Sequence, residues 1–561
     1  MGYKSIEQDI KNPDVTVFQT LYDASQRYCD MPALKFMGKS ISYNELVIMT
    51  ENTAKALIAA GVKPGDVVTF MLPNCPQAVA VYYAINRIGA VANMIHTLSA
   101  PVNIAFFINK ADSRFIVALD SLYPKIKSAC EKINDKITVI YTSVCDEIPL
   151  VFKAVYKLKT TGKSPAKITD ENAFALKKLI RDGKSVTLPP ISYKKNRPST
   201  ILYSGGSTGR PKGILLSDYN LNSLAIQVAN AVGVKISGKK FLSAIPLFHG
   251  FGLGVGIHTF MCSGAQCILV PQFNPDSYIK TMVKEKAELM TIIPSILESF
   301  LHTDAFDGKD LSFLKGIFCG ADTLTADLEN RFNRFLEEHN CNETVRVGYG
   351  QSEIIAACLL NPIENVKPGS IGLPLGETKV RIVKPGTFED VGITESGELL
   401  INGPAVMLGY LNEPEETANA LKTDTDGQVW LFTGDMCKTD GDGYVYFVQR
   451  IKRMIITFGY NVYVVQVEAV INACHAVKAS CVVGVKDKLL GETVAACVVA
   501  DEKTDTVSLH GEIIKVCRER LEEYAVPTNI KFIDRLPITN MGKIDFMNIQ
   551  KLFEKGKREN D

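Results

Sequence analysis

The sequence lacks an excess of charge of either sign. It contains 62 lysine and arginine residues against 61 aspartate and glutamate residues, which leaves a formal net charge of +1 at pH 7. Such a balance gives the whole protein no attraction to the phosphates of nucleic acid or to an anionic membrane. Motifs that read nucleic-acid bases are also missing from the sequence. We therefore expect a small-molecule partner and no nucleic-acid partner.

Paired cysteines are also lacking. The 14 cysteines include no CxxC pair and no evenly spaced framework. Many have apolar neighbours, as Cys474, Cys481 and Cys497 do, and in such surroundings a thiol behaves as a small buried hydrophobe. A long chain with many unpaired cysteines is typical of a reducing compartment.

Targeting signals and membrane spans are the third absence. The first fourteen residues lack the apolar core of a signal peptide. Ile6 occupies the position at which the N-myristoylation pattern requires Ser or Thr. No apolar run reaches the ~18–20 residues that a membrane-spanning helix needs. We expect a cytoplasmic protein.

What the sequence does contain is a regular alternation of apolar runs and amphipathic segments. Val67–Leu72 is typical of a buried strand, and Ala78–Ile88 of the helix that follows it. Further runs of strand length are Phe115–Leu119, Ile137–Tyr141, Phe241–Pro246, Cys267–Val270 and Met290–Pro294. Buried strands separated by helices predict mostly parallel sheets covered on both faces, here in two α/β layers.

The pattern changes after about Gly369, where short strands between dense turns predict a small antiparallel β-barrel or sheet. After Arg450 the alternation resumes, with strands at Ala479–Val485 and Val494–Val499 and a helix at Leu509–Glu523. These last residues are numerous enough for a separate small domain. The predicted class is α/β: a large N-terminal domain of two α/β layered subdomains plus a small β-barrel, and a small α+β C-terminal domain.

One segment differs from the rest by its charge. Between Lys153 and Arg197 there are twelve lysines and arginines but three acidic residues. One interpretation is a solvated excursion on the surface. The other is a weak peripheral contact of Leu150–Leu158, apolar with interleaved lysines, with an anionic membrane surface.

The stretch Tyr203–Gly213, YSGGSTGRPKG, predicts a phosphate-binding loop after a strand. Its glycines permit backbone conformations in which successive N–H groups wrap an anion, and its hydroxyls and one lysine add donors. A loop at the end of a sheet strand is also where α/β proteins bind ligands. The residues predicted to contact phosphate are Ser204, Gly205, Gly206, Ser207, Thr208, Gly209 and Lys212.

Two better-known phosphate loops do not match. The Walker pattern requires Gly followed by Lys and Ser or Thr at a fixed spacing, which is missing here. Gly250–Gly256 lacks the third glycine of the dinucleotide fingerprint. A glycine- and serine-rich turn by itself is also compatible with a flexible surface loop, so the other motifs decide its interpretation.

The eleven-residue string resembles the phosphate-binding motif of the adenylate-forming superfamily, which comprises acyl-CoA synthetases, luciferases and the adenylation domains of peptide synthetases. Gly348–Glu353, Thr433–Asp435 and Pro537–Asp545 are similar to further elements of that family, in the family's order. The resemblance covers nearly the whole chain. It implies an N-terminal AMP-binding domain over residues 1–449 and a mobile C-terminal domain over residues 450–561.

The resemblance also implies roles for single residues. Tyr349 would stack on adenine, Ser352 would contact the α-phosphate and Glu353 would hold Mg²⁺, which prefers hard oxygen ligands. Asp435 would accept hydrogen bonds from the ribose hydroxyls. The full set implied to contact ATP or AMP outside the loop is Gly320, Ala321, Asp322, Tyr349, Gly350, Gln351, Asp435 and Arg450.

The C-terminal domain would supply the catalytic Lys543, placed between the carboxylate and the α-phosphate. Lys452 falls at the family's hinge, and the loop at Gly459 and Tyr460 would approach the adenylate on the coenzyme A side after the domain swings. Five positions depart from the commonest pattern: Gly205, Ser352, Gln449, Val464 and Gln466. None of them removes a charged group that the chemistry requires.

The family's acid pocket follows the stretch Ala244–Leu253. It holds His249, which would gate the acid or cap local structure, and the resemblance implies a position near the adenylate for it. It holds no acidic residue, which argues against an α-amino acid. The glycines between 250 and 256 leave two alternatives: close helix packing, or a channel for an alkyl chain. The predicted acyl-pocket residues are Phe251, Gly252, Val255 and Gly256.

The implied activity is an acid–thiol ligase that uses ATP, Mg²⁺ and coenzyme A. A medium- or long-chain fatty acid is the first choice of acid, because a Gly-Gly phosphate loop is familiar among fatty-acid–CoA ligases, and an aryl acid is the second. The alternative acceptor is the phosphopantetheine of a carrier protein. A nucleotide-binding protein without catalysis disagrees with the presence of Glu353, Asp435 and Lys543, and nothing in the sequence requires the oxygen chemistry of a light-emitting oxidase.

Overall fold

The computed structural model describes residues 12–149, 168–204, 211–271, 275–457, 460–487, 491–502, 504–538 and 544–554. The predicted membrane-contacting stretch Leu150–Leu158 lies outside these ranges. Within them, no helix is both long and apolar enough to cross a membrane.

The described residues form 27 strands, numbered in chain order. They are β1 Pro32–Phe36, β2 Lys39–Ser42, β3 Val67–Met71, β4 Val91–Met94, β5 Phe115–Leu119, β6 Thr138–Thr142, β7 Ala173–Ala175, β8 Pro198–Ser204, β9 Lys212–Ser217, β10 Lys240–Ser243, β11 Gln266–Leu269, β12 Leu289–Ile292, β13 Gly316–Cys319, β14 Val345–Tyr349, β15 Leu359–Leu360, β16 Leu373–Pro374, β17 Lys379–Val383, β18 Gly397–Asn402, β19 Gly409–Tyr410, β20 Leu421–Thr423, β21 Val429–Thr439, β22 Val445–Arg450, β23 Ile455–Thr457, β24 Tyr460–Val462, β25 Val477–Asp487, β26 Gly491–Ala500 and β27 Asn529–Phe532.

The α-helices are α1 Val17–Tyr28, α2 Tyr43–Ala59, α3 Pro76–Ile88, α4 Pro101–Lys110, α5 Tyr123–Cys130, α6 Leu176–Asp182, α7 Asp218–Ala231, α8 Phe260–Cys262, α9 Pro275–Glu285, α10 Pro294–Leu301, α11 Ala326–Glu338, α12 Pro414–Ala420, α13 Val464–Asn472, α14 Thr506–Arg520 and α15 Phe546–Glu554. A π-helix covers Phe251–Thr259. Single 3-10 turns include Ser352–Ile354 and Ile451–Arg453.

The described residues form two large sheets with mainly parallel cores. One contains eight strands in the order β19-β9-β8-β4-β3-β5-β6-β7, and the other contains nine in the order β16-β15-β14-β13-β12-β10-β11-β1-β2. Strand β3 runs parallel to β4 and β5, and β12 runs parallel to β10 and β13. The predicted α/β layers are confirmed.

The chain divides into two compact units. The first comprises Met1–Val380, Leu400–Phe432 and Asp442–Val445 and contains both large sheets, whereas the second comprises Arg381–Leu399, Thr433–Gly441 and Tyr446–Asp561. The predicted small barrel or sheet corresponds to five described strands, in the order β17-β18-β21-β20 with β22 beside β21.

The C-terminal part of the second unit has its own α+β core. Its described strands follow the order β24-β23-β26-β25, with β27 parallel to β26. Helices α13 and α14 contribute Val467, Ile471, Ile513 and other buried apolar residues to one cluster on this sheet. A hydrophobic core of its own agrees with the α+β C-terminal part expected from the sequence.

Helix α3 is buried on almost every side, which explains the apolar character of its sequence. Every residue of the helix except Arg87 is buried. A helix that is apolar all round belongs in the interior, and so the sequence shows a continuous apolar run here instead of an amphipathic stripe.

A buried carboxylate connects several elements of the first unit. The Asp218 side chain is fully buried, accepts a hydrogen bond from the backbone N–H of Val17 at 3.2 Å, and forms an ion pair with Arg197 at 3.0 Å. Asn86 of α3 also donates to it. A buried charge of this kind requires partners, and these join α1, α3 and α7.

Candidate functional site

The centre of the site is the Glu353 carboxylate, in the 3-10 turn after β14. Its Oε1 atom accepts hydrogen bonds from the Ser204 hydroxyl at 3.4 Å and from the Tyr410 hydroxyl at 2.9 Å. Ser204 is the last residue of β8, and so the start of the predicted phosphate loop meets the predicted Mg²⁺ ligand. The structure therefore brings together two motifs that lie 149 residues apart.

Tyr410 was not predicted from the sequence, although it holds the central carboxylate. It lies in β19, which pairs with β9, so that Tyr410 stands opposite Ile214. The backbone N–H of Met407 also donates to the carbonyl oxygen of Glu353 at 2.8 Å. The segment from Met407 to Tyr410 thus binds Glu353 through both its main chain and its side chain.

The protonation of Tyr410 suits this contact. Burial, together with the negative charge of Glu353, raises the pKa of Tyr410 well above its usual value. The phenol therefore keeps its proton and acts as the hydrogen-bond donor to the Glu353 carboxylate. A charge-assisted hydrogen bond is stronger and shorter than a neutral one.

The predicted phosphate-binding Lys212 lies in the same cluster. It is the first residue of β9 and stands opposite Ser204 in the ladder. Its ammonium group forms an ion pair with Glu416 and lies 4.7 Å from the centre of the Tyr410 ring. The other predicted loop residues, Gly205, Gly206, Ser207, Thr208 and Gly209, lie outside the described residues.

The turn after Glu353 is strained. Ile355 has φ 66° and ψ −61°, and the N–H of Ala356 donates to the carbonyl of Ile354 at 2.8 Å, which makes a three-residue γ-turn. A positive φ is rare for a β-branched residue and costs about 1–3 kcal/mol. Strain of this kind collects at functional sites, where surrounding contacts hold it in place.

The neighbouring glycines explain how the strained turn fits. A Cβ atom at Gly250 would lie 1.7 Å from the Ile355 carbonyl oxygen, and one at Gly350 would lie 1.6 Å from the Ala356 carbonyl oxygen. Any side chain at these two positions would push the turn out of place. Gly350 of the predicted ATP-binding set is therefore needed for the backbone around Glu353.

Gly320, which is predicted to contact ATP or AMP, lies next to Phe251 of the predicted acyl pocket. A Cβ atom at Gly320 would lie 3.3 Å from the Gly348 carbonyl oxygen and 3.8 Å from the Phe251 ring. Ala321 follows with a positive φ of 70° and is exposed, as is Asp322. The side-chain amide of Gln351 donates to the Tyr349 hydroxyl at 3.1 Å, which orients that ring.

His249 caps the start of the π-helix. Its Nδ1 atom accepts a hydrogen bond from the backbone N–H of Phe251 at 3.3 Å, and its carbonyl accepts from Leu253 at 2.9 Å. Of the two alternatives left by the sequence, local capping is therefore present in the structure.

A second histidine of this helix, His258, is fully buried between the Tyr83 hydroxyl and Asn222, at 3.0 and 2.9 Å. Burial lowers the pKa of His258 to about 3. Its imidazole is therefore neutral and serves the packing of the helix.

The glycines of the π-helix bear on the choice between close helix packing and a channel for an alkyl chain. A Cβ atom at Gly252 would lie 2.1 Å from the Pro246 carbonyl oxygen, and one at Gly254 would lie 2.6 Å from Leu224 and 2.7 Å from Ile355. Close packing accounts for these two. At Gly256 the nearest atom would be the Phe251 carbonyl oxygen at 3.4 Å, an ordinary van der Waals contact, so this glycine alone of the three would accept a Cβ atom without a clash.

This difference predicts opposite outcomes for two alanine substitutions. Gly252→Ala is expected to lower the free energy of unfolding by about 3 kcal/mol, because the backbone must move. Gly256→Ala is expected to change it by less than about 1 kcal/mol, since alanine favours a helix and meets ordinary contacts. Melting temperatures of the two variants check the prediction, and equal destabilisation would contradict it.

Asp435 and Arg450, two of the residues predicted to contact ATP or AMP, belong to the second unit. Asp435 in β21 is 1% exposed and forms an ion pair with Arg450 at 3.4 Å. Its backbone N–H donates to the Thr433 hydroxyl at 3.1 Å, and Gly434 between them has φ 69°. This stretch of β21 thus holds the carboxylate beside the guanidinium.

The remaining predicted residues of the C-terminal part are only partly described. Lys452 is exposed in the 3-10 turn Ile451–Arg453. Tyr460 begins β24. Gly459 and the predicted catalytic Lys543 lie outside the described residues.

The donor set around Glu353 fits Mg²⁺ bound with a nucleotide. No group of three or more histidine, cysteine, aspartate or glutamate side chains that could hold a metal ion occurs in the described ranges. Mg²⁺ is commonly bound by one or two carboxylates together with substrate phosphates and water, in preference to a cage of protein ligands. A single carboxylate next to Ser204, the start of the predicted phosphate loop, meets that requirement.

Two family models match the chain. The model of the AMP-binding enzyme family matches residues 21–411, and that of the AMP-binding enzyme C-terminal domain matches residues 466–543. The candidate residues Asp435, Arg450, Lys452, Gly459 and Tyr460 lie between the two matched ranges.

Curated relatives and a solved structure agree with those matches. The chain is 34% identical over 547 residues to a long-chain-fatty-acid–CoA ligase of Bacillus subtilis, which covers 96% of this chain and 95% of the relative. It is 30% identical to a feruloyl-CoA synthase of an Amycolatopsis species, over 91% of this chain and 94% of the relative. The structure of ATP-bound MatB from Rhodopseudomonas palustris has the same fold, with a TM-score of 0.81, 24% identity and coverage of 96% and 98%.

Proposed function

Because the chain belongs to the AMP-binding enzyme family, we propose that it is an ATP-dependent acid–thiol ligase of the acyl-CoA synthetase branch. It activates a carboxylic acid as an acyl-adenylate with release of pyrophosphate, then transfers the acyl group to coenzyme A. The observation that carries this proposal is the Glu353 carboxylate, held by Ser204 and Tyr410 beside Lys212.

The first step requires two anions to approach each other. A carboxylate oxygen of the acid attacks the α-phosphorus of ATP, the bond from this phosphorus to the pyrophosphate oxygen breaks, and pyrophosphate leaves with the electron pair. The main task of the protein is therefore to neutralise and align charge. Lys212 and the hydroxyl of Ser204 would bind phosphate oxygens, and Lys543 would lie between the acid and the α-phosphate.

Glu353 would hold Mg²⁺ together with phosphate oxygens, and the bound ion would supply positive charge to the leaving pyrophosphate. Tyr410 contributes by fixing the orientation of the carboxylate through its hydrogen bond. Ser352 would contact the α-phosphate, and Asp435 and Arg450 would hold the ribose. Tyr349, Gly350, Gln351 and the loop at Gly320, Ala321 and Asp322 would form the adenine site.

The second step requires a change of domain position. We propose an AMP-binding domain over residues 1–449 and a mobile C-terminal domain over residues 450–561, hinged at Lys452. In the second state Lys543 leaves the site, and the loop at Gly459 and Tyr460 opens a path for the thiol. The thiolate sulfur attacks the acyl carbonyl carbon, the bond to the phosphate oxygen breaks, and AMP leaves.

A medium- or long-chain fatty acid is the preferred acid of this proposal. The π-helix carries the predicted pocket residues Phe251, Val255 and Gly256, and it has no acidic residue that could pair with an amino group. The similarity to a fatty-acid–CoA ligase supports this choice. The similarity to a feruloyl-CoA synthase supports an aryl acid as the second candidate.

A panel of acids tests the proposal. Acids from acetate to palmitate, together with benzoate and cinnamates, are assayed for AMP release with ATP and Mg²⁺, with and without coenzyme A. We expect AMP release that depends on coenzyme A and is largest for acids of eight or more carbons. Release that requires a carrier protein instead would replace the acceptor, and the highest activity on amino acids would overturn the pocket assignment.

A further inference from the structure

Two buried hydroxyl groups lie side by side at the carboxyl ends of neighbouring strands. Ser243 is the last residue of β10, and Thr291 lies in β12. The parallel register pairs Leu242 with Met290, so that Ser243 and Thr291 are the next residues along both strands and share one face of the sheet. Both are 0% exposed.

Neither hydroxyl has a hydrogen-bond partner within the described part of the chain. Buried hydroxyl groups are nearly always paired in native proteins, because an unpaired one loses its hydrogen bonds to water without replacement. Alanine and valine would fill the same two positions without that loss. Two such groups next to each other indicate that an oxygen or nitrogen atom from outside the chain pairs with them.

The π-helix covers this face of the sheet. Phe241, two residues before Ser243, stacks on Phe260 at the end of that helix with ring centres 3.7 Å apart. The thiol of Cys267, opposite Phe241 on the next strand, lies 3.9 Å from the Gly256 carbonyl oxygen. A Cβ atom at Gly256 would lie 3.9 Å from the Ser243 hydroxyl oxygen.

The Ser243 hydroxyl, with Thr291 next to it in the register, therefore faces the one glycine of this helix at which a Cβ atom would meet no clash. Gly256 is also one of the predicted acyl-pocket residues. The first residue of the same π-helix, Phe251, lies next to Gly320. The carboxyl ends of parallel strands are the edge at which α/β sheets bind ligands. The unpaired hydroxyl groups thus lie at a ligand-binding edge of the sheet, next to a predicted pocket residue at which an added Cβ atom would meet no clash.

We propose that Ser243 and Thr291 form a polar floor of the acyl pocket, which binds a hydroxyl or carbonyl oxygen carried by the acyl chain at a distance from its carboxylate. The substrate class is then an oxygenated acid instead of a plain alkyl acid. This inference rests on the acid–thiol ligase activity proposed above.

The test compares acids that differ by one oxygen atom. Octanoic and dodecanoic acids are each compared with their series of hydroxy and keto positional isomers, and cinnamic acid with 4-hydroxycinnamic acid. The value of kcat/KM is measured from AMP release with ATP, Mg²⁺ and coenzyme A. We expect at least one oxygenated acid to exceed its plain counterpart by about 10-fold or more, because a site built to bind a hydroxyl rejects the analogue that lacks it.

The variants remove the hydroxyl groups at nearly constant shape. In the double variant Ser243→Ala and Thr291→Val, the ratio of the two kcat/KM values is expected to fall to about 1. Melting temperatures establish that the variant folds, and the isosteric Thr291→Val alone carries the test if the double variant does not. Thr50→Val is the matched control, because it removes a buried hydroxyl that already donates to the Leu46 carbonyl at 2.8 Å in α2.

The outcomes separate the two levels of the proposal. If the wild type converts the plain acid as well as every oxygenated isomer, or if the preference persists in the folded variant, the polar floor is overturned and the activity stands. If none of the acids releases AMP, the acid–thiol ligase activity itself fails. A preference that is lost in the variant and kept in Thr50→Val supports the polar floor.

Discussion

Replacement of Glu353 by glutamine is expected to slow acyl-adenylate formation by about 10²-fold or more. Glutamine keeps an oxygen that can accept from Ser204 and Tyr410, so the local hydrogen bonds survive. It removes the negative charge that would hold Mg²⁺ beside the phosphates. The rate of pyrophosphate exchange, measured over a range of Mg²⁺ concentrations, checks the prediction.

The Mg²⁺ dependence makes this test specific. Glu353→Gln should need more Mg²⁺ for half-maximal rate, and Tyr410→Phe should show a smaller shift in the same direction, because the charge remains and only its orientation is lost. Glu298→Gln is the control, since Glu298 pairs with Arg331 on the surface and should leave the rate unchanged. A Glu353→Gln enzyme with the wild-type rate and Mg²⁺ requirement would refute the assignment.

Replacement of Lys543 by alanine is expected to separate the two half-reactions. Adenylation should fall by at least ~10²-fold, because a positive charge between two anions is lost. Transfer of the acyl group from preformed acyl-adenylate to coenzyme A should change far less, because the lysine is proposed to leave the site for that step. Pyrophosphate exchange measures the first half-reaction, and release of AMP from synthetic acyl-adenylate measures the second.

A lysine of the same domain provides the control. Lys478 forms an exposed ion pair with Asp501, and Lys478→Ala should leave both half-reactions unchanged. Near-normal pyrophosphate exchange in Lys543→Ala would remove the catalytic role from this residue. Equal loss in both half-reactions would argue against the proposed change of domain position.

Much of the fold could be predicted from periodicity, with errors at the ends of elements. Phe115–Leu119 was predicted and is found as β5 with the same bounds. Phe241–Pro246 was predicted as one strand, but β10 ends at Ser243. The Asn74 side chain accounts for the difference: it donates to the carbonyls of Ser243 and Ile245 and so turns the chain away from the sheet while the sequence remains apolar.

The same limit applies to the site. Ser204 and Glu353 were predicted because each belongs to a local motif that resembles a family element. Tyr410 has no motif around it that marks a function, and its contact with Glu353 exists only because β19 pairs with β9. The pairing of distant strands depends on the whole sheet, which no short window of sequence contains.

The sequence by itself determined the order of the motifs, the chemistry their side chains can perform and the class of fold, because these depend on local patterns and residue types. Only the tertiary structure decided which glycines of the π-helix serve packing, that Tyr410 orients the central carboxylate, and that the neighbouring hydroxyl groups of Ser243 and Thr291 are buried without partners in the described part of the chain. Distances and burial between residues far apart in the chain are properties of the packed interior. They follow from how all the elements fit together at once.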